Sequence, residues 1–355
     1  MNYHASAAWA SVGAEGDQAK QKVLASGKFT YWDGHEGRDF EREFARFADC
    51  ECALGVCDFD TALELALVCL GIGQVQGSRN EVVVSGLASP ALLAGIVRCG
   101  AVPVLADIDR DTRNMTAPSL AERLTPQTKA VVVTHEVGLP CEMDCVTALA
   151  ETHGLAVIEE CSQAFGALYK GRSVGSFGHV ACWAIHPDGF MTTGTEGGAM
   201  LTTRDPQLHE RMSSYKDQGK RWIQVAESGV LDGGRWKPES SESDWRLTEV
   251  EAAVARTQLD AVPGWRVVRQ CHAERLWQAA RACTALRVPL IPAYMVHAAA
   301  MATAFVEPGC LRAGWDRDRI LAEINARGVV CCAPGMARST DRCCSRGWCL
   351  GMTWG

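Results

Sequence analysis

Apolar residues along the chain follow two alternating patterns. Short apolar runs, most of them with valine, at residues 54–57, 82–84, 102–106, 128–134, 155–158 and 180–185 have the length and composition of strands. Between them apolar residues recur three and four apart. In F-E-R-E-F-A-R-F, residues 40–47, Phe40, Phe44 and Phe47 share one helical face. Further helices are predicted at 91–97, 118–124, 144–153, 206–214, 247–259 and from 261 to about 282. Thr61 and Glu64 have capping-box spacing and predict a helix from there to Leu70. Strand-helix alternation of this kind builds a largely parallel sheet with right-handed crossovers. The strand at 155–158 delivers Glu159 and Glu160 at its C-terminal end, the sheet edge where ligands of α/β folds bind. The polar, glycine-rich stretch 216–243 predicts a long loop. Two domains are expected, a large α/β domain over 1–260 and a small C-terminal one over 261–355, irregular after 331.

Composition narrows the class. The chain has 355 residues, 47% hydrophobic and 22% charged, with formal net charge −7. That is an ordinary globular balance, and no basic stripe suggests a nucleic acid partner. No apolar run reaches membrane-spanning length, and no secretory pattern opens the chain, so a cytoplasmic location is expected. The 17 cysteines include six between Cys310 and Cys349. They lack the paired knuckles or histidines of a zinc site, and no metal is expected.

The stretch 159–198 carries the chemistry. It reads E-E-C-S-Q-A-F-G-A, then G-S-F-G-H, A-I-H-P-D-G-F and T-T-G-T-E-G-G. It resembles the core of the DegT/StrS-type sugar aminotransferases, which read E-D-x-A-Q-A-x-G-A, G-S-F-G-D, S-F-H-P-T-K-N and T-T-G-E-G-G. The resemblance covers about residues 24–260. It implies a type I aminotransferase-like α/β fold, with a mostly parallel central sheet flanked by helices and a smaller C-terminal α/β domain. It also implies pyridoxal phosphate as cofactor, an active site completed across a dimer, and a nucleotide-sugar ligand.

Residue by residue, the implied cofactor pocket is altered. Gly189 stands where the resemblance implies the Schiff-base lysine, or Phe190 if the register is anchored on Glu196. Neither forms an imine or moves a proton. Glu160 replaces the aspartate that holds the pyridine nitrogen protonated, and Ser89 replaces the aromatic that covers the ring. At the phosphate, Phe59 and Asp60 replace glycine and threonine, Ala184 replaces serine, and Asp244 replaces an asparagine supplied across the dimer. Gln163 is retained and could hydrogen-bond a planar ligand. A carboxylate 4 Å from one negative charge costs about 4 kcal/mol at an effective dielectric of about 20, so Asp60 and Asp244 are expected to repel a phosphate. Asp60 is also expected to cap its own helix. His135 and His186 are expected to be packed rather than catalytic.

Two readings follow. In the first, the chain is a degenerate aminotransferase-like protein without a cofactor, acting by binding or as partner, in a homodimer or paired with an active homologue. In the second, it is an active pyridoxal-phosphate transaminase of a nucleotide-linked keto-deoxysugar, using a displaced lysine such as Lys216 or Lys220. A dehydratase with histidine in place of the lysine is a variant of the second, but His186 lies three residues from the required position. The number of contacts changed together favours the first.

Overall fold

In the computed structural model, which describes residues 12–73, 80–187, 189–195, 197–219, 243–329, 331–332 and 349–352, the apolar runs become strands. They are β1 (Cys52–Val56), β2 (Glu81–Ser85), β3 (Val102–Ala106), β4 (Thr128–Thr134), β5 (Ala156–Glu160), β8 (Val180–Ala184) and β9 (Ala199–Thr203). Two short strands, β6 (Leu168–Tyr169) and β7 (Arg172–Ser173), pair with β11 (Met295–Val296) in a separate three-stranded sheet. The seven strands pair in the order β1-β9-β8-β5-β4-β2-β3, and β9 alone runs against the other six. The expected α/β fold with a mostly parallel sheet is thus the fold observed.

Helices cover both faces of this sheet. They are α1 (Gly13–Ser26), α2 (Glu36–Phe47), α3 (Phe59–Cys69), α4 (Pro90–Arg98), α5 (Ala117–Ala121), α6 (Met143–Thr152), α7 (Pro206–Lys216), α8 (Glu249–Leu259) and α9 (Val262–Arg281). Successive strand residues point to opposite faces. Val82, Val84 and Val132 therefore enter one core with Leu63, Leu67 and Ile96. Val83, Val131 and Val133 enter another with Met143 and Val146. A third, aromatic core gathers Phe40, Phe44, Phe165 and Trp183.

Three helix starts differ from expectation, two of them because of a polar group that caps the helix. Helix α3 begins at Phe59, with Asp58 as N-cap accepting the Thr61 N–H at 2.7 Å, so neither Thr61 nor Asp60 is the cap. Helix α2 begins four residues before Phe40. The buried Glu249 carboxylate of α8 accepts the N–H groups of Glu36 (2.7 Å) and Gly37 (3.0 Å), closing the helix start. A Cβ on Gly34 would lie 1.9 Å from that carboxylate, which accounts for a glycine there. Helix α1, over Gly13–Ser26, lies in a stretch whose weak apolar period predicted nothing.

Beyond α9 the chain adds β10 (Leu286–Arg287), β12 (Ala302–Val306), α10 (Arg317–Ala326), β13 (Cys331–Cys332) and β14 (Cys349–Met352). Strands β10, β12, β14 and β13 pair in that order. The tail expected to be irregular after 331 thus supplies two paired strands. Its other residues lie outside those described. Among the described residues no helix is long and apolar enough to cross a membrane.

His297, in the segment before β12, yields a pH prediction. It is buried, and its Nδ1 accepts the Ala299 N–H at 2.6 Å, so the neutral ring carries its proton on Nε2. Burial pushes its pKa down from 6.5 to about 4. The unfolded chain therefore takes up the proton first as pH falls. The resulting stability is full above pH about 6.5 and is lost toward pH 4, by about 3 kcal/mol. Glu136, raised to about 7 by burial despite the nearby Arg113, has the opposite sign. Its contribution is present below about 4.5 and lost as pH rises through 7. The two oppose each other between, so the check is a difference. Urea unfolding at several pH values should show His297→Asn gaining on the wild type as pH falls from 6.5 to 4, and parallel curves would contradict this.

Candidate functional site

The C-terminal edge of β4 and β5 is organised by a buried carboxylate. Glu159 accepts the N–H groups of Gly175 (2.8 Å), Phe177 (2.8 Å) and Gly178 (2.7 Å), and the Nε2–H of His135 at 3.0 Å. The tautomer follows from the other ring nitrogen: Nδ1 of His135 accepts the Cys141 N–H at 3.1 Å. Burial opposes the charge on Glu159, yet the bonds from His135 and the backbone outweigh it and hold the carboxyl below its ordinary range. His135 is packed and hydrogen-bonded, as expected. Donor atoms of His135, Glu159 and Cys161 lie within 4.8 Å of one another. They suit a cation poorly, since Nε2 holds the ring proton and burial pushes the Cys161 thiol well up, keeping it protonated.

Next to this hub stands Glu160, at the end of β5. Its Oε1 accepts the Ser162 N–H at 2.9 Å. Burial nevertheless pushes the Glu160 carboxyl up, against that hydrogen bond. Ser162 Oγ in turn accepts the N–H of Ala184, at the end of neighbouring β8, at 3.0 Å. Gln163 directs its Oε1 to the Val137 N–H at 3.0 Å. Val137 has φ 51° and Gly138 φ 92°, a strained turn for a β-branched residue. The turn is held further by Ala298 N–H to the Gly138 carbonyl (2.8 Å) and Ala300 N–H to the Val137 carbonyl (3.2 Å). The Gln163 oxygen, expected to meet a planar ligand, is thus committed to the backbone.

In the loop leaving β8 the two candidate positions, 189 and 190, have different surroundings. Gly189 donates its N–H to the His186 carbonyl at 2.8 Å, closing a turn, and is half-buried. Phe190 is buried, stacks on Phe165 with ring centroids 5.7 Å apart, and lies under the Arg269 guanidinium at 4.0 Å. Phe190 is therefore a core residue, and Gly189 holds the half-exposed position at the same sheet edge as Glu160. A Cβ there would sit 3.1 Å from the His186 carbonyl oxygen, tight but not prohibitive.

In front of α3 lies a cavity of about 300 Å³, walled by residues 58–60, 184–186 and 197–198. Phe59, Asp60 and Ala184 are thus brought together as expected, with exposed His186 beside them. Ser89 is the N-cap of α4, accepting the Leu92 N–H at 3.2 Å. The acids are not arranged as expected. Asp60 pairs with Arg98 at 3.1 Å. Asp244 is held by Arg246 through two bonds of 2.7 and 2.8 Å. Each therefore brings a counter-charge, which lowers the repulsion expected from them. The acid set into the helix start is Asp58, which the sequence reading passed over, although Asp is among the preferred N-cap residues.

Lys216, proposed as a displaced lysine, is committed elsewhere. Its buried ammonium contacts Glu41 Oε1 at 3.1 Å and the Gly55 carbonyl at 3.2 Å, 4.4 Å from the Tyr31 ring centroid. It does not line the cavity. The ends of the long loop pair through Gln218 N–H to the Ser243 carbonyl (3.0 Å) and Trp245 N–H to the Lys216 carbonyl (2.9 Å). Lys220, Asp188 and Glu196 lie outside the described residues. Two features of the described residues bear on the pyridoxal phosphate that the resemblance implies. Lys216 is paired with Glu41, and the start of α3 is capped by the Asp58 carboxylate.

The model of the DegT/DnrJ/EryC1/StrS aminotransferase family matches residues 11–333. The chain is 36% identical over 238 residues to a GDP-perosamine synthase of Caulobacter vibrioides, covering 66% of this chain and 59% of that one. It is 33% identical over 259 residues to a dTDP-3-amino-3,4,6-trideoxy-alpha-D-glucose transaminase of Streptomyces venezuelae, covering 73% and 63%. The chain thus matches about three fifths of the length of these curated relatives. Among solved structures, an aminotransferase from Psychrobacter cryohalolentis superposes with TM-score 0.90 at 38% identity, covering 98% of this chain and 93% of that one.

Proposed function

The chain belongs to the DegT/DnrJ/EryC1/StrS aminotransferase family, and from that premise we propose that it is a nucleotide-sugar-type member without normal pyridoxal-phosphate catalysis. Its role is then to bind a nucleotide-linked sugar or to act as the partner of an active homologue, in the cytoplasm. The nucleotide-sugar class is suggested by the relatives, whose names specify GDP- and dTDP-linked products or substrates. The observation that carries the loss of catalysis is Gly189 at the tip of the turn after β8, where the resemblance implies the lysine, with Lys216 held in its pair with Glu41. Without an amine at that turn there is neither an imine nor a proton shuttle.

The test is an absorbance spectrum of purified protein with added pyridoxal phosphate, followed by borohydride and peptide mapping. The expected result is no stoichiometric imine band and no fixed adduct. A borohydride-fixed adduct on Lys216 or Lys220 would replace this reading by the displaced-lysine one.

A further inference from the structure

The cavity at the tip of α3 has the makings of an anion seat. Helix starts present free N–H groups and a positive dipole end, and this one opens into about 300 Å³ of space. Yet the chain has placed its own anion there. Asp58 Oδ1 accepts the Thr61 N–H at 2.7 Å, and its Oδ2 accepts the Cys57 thiol at 3.3 Å. Both oxygens are engaged, which holds the carboxylate in one orientation against the helix start. Two residues on, Asp60 adds a second charge, partly offset by Arg98.

We infer that Asp58 is a built-in occupant of this anion seat, so that the cavity rejects phosphate monoesters whether or not a lysine stands at 189. The inference deepens the cofactor-free reading proposed above and rests on it for its biological meaning. Its physical content is separate. A phosphate entering the cavity would compete with Asp58 for the Thr61 N–H and meet a carboxylate at close range. Asp58 is solvent-exposed, so salt and water screen that encounter, and the penalty is well below the buried limit.

The experiment is titration with inorganic phosphate at constant ionic strength, read by calorimetry and by thermal shift. The probe needs no imine, so its outcome is independent of the spectroscopic test of the proposed function. Asp58→Ser keeps a good helix cap without the charge, and Asp60→Thr removes the second acid. The wild type is expected to show no saturable binding up to about 50 mM phosphate, and the double variant to bind at least about tenfold more tightly. Asp58→Asn, nearly isosteric and also a good cap, keeps the fold safe and should gain part of that affinity. Wild-type binding as tight as that of the double variant would overturn the inference. So would the absence of any gain in either variant while both melt as the wild type does.

Discussion

Replacing Glu159 by alanine is expected to cost the fold at least about 4 kcal/mol, since each buried donor left unsatisfied costs about 1–3 kcal/mol and four lose their acceptor together. Those donors are the N–H groups of Gly175, Phe177 and Gly178 and the Nε2–H of His135. A loss of that size is a large part of a domain's usual stability of about 5–15 kcal/mol. Glu159→Gln keeps one acceptor oxygen but presents an amide to backbone N–H groups, so it should cost less than alanine and more than a surface change. Urea unfolding followed by circular dichroism gives the measurement. A Glu159→Ala protein within about 1 kcal/mol of the wild type would mean that the turn at 175–178 finds other partners for its N–H groups.

Lys216→Met is expected to cost about 3–5 kcal/mol, the usual penalty for leaving one member of a buried ion pair uncompensated. The stranded partner is Glu41, whose carboxylate also accepts the Gly55 N–H at 2.9 Å and the Tyr31 hydroxyl at 2.7 Å. Those two bonds hold the carboxylate in place, so it cannot turn away to replace the lost ammonium. Adding Glu41→Gln should recover much of the loss, with a coupling of about 1–3 kcal/mol in the double-mutant cycle. The result bears on function as well as stability. If Lys216→Met were nearly neutral, the amine would not be holding the fold and could serve chemistry, which would revive the displaced-lysine reading.

Much of the fold was legible because apolar period and strand composition act locally. The runs around Val82, Val131 and Val157 became buried strands, and the helices at 91–97, 144–153 and 206–214 appeared within a few residues of expectation. What escaped depends on partners far along the chain. The start of α2 is set by Glu249, more than 200 residues away, and no local pattern reports such a partner. The tail's short strands carry too few residues for a period and exist by pairing, β14 with β12 and β13 with β14.

At the candidate site the division is similar. By itself the sequence determined which residue types stand at 59, 60, 89, 160, 163, 184, 189 and 244, and that no lysine lies between Lys170 and Lys216. It thereby carried the family resemblance, because residue identity decides what bonds a side chain can form. Only the tertiary structure decided how those residues are charged and employed. Asp60 and Asp244 each acquire an arginine, Gln163 spends its oxygen on a strained turn, Phe190 enters the core, and Asp58 rather than Asp60 caps α3. The physical reason is that electrostatic energy and hydrogen-bond satisfaction depend on distance and burial in space, and spacing along the chain specifies neither.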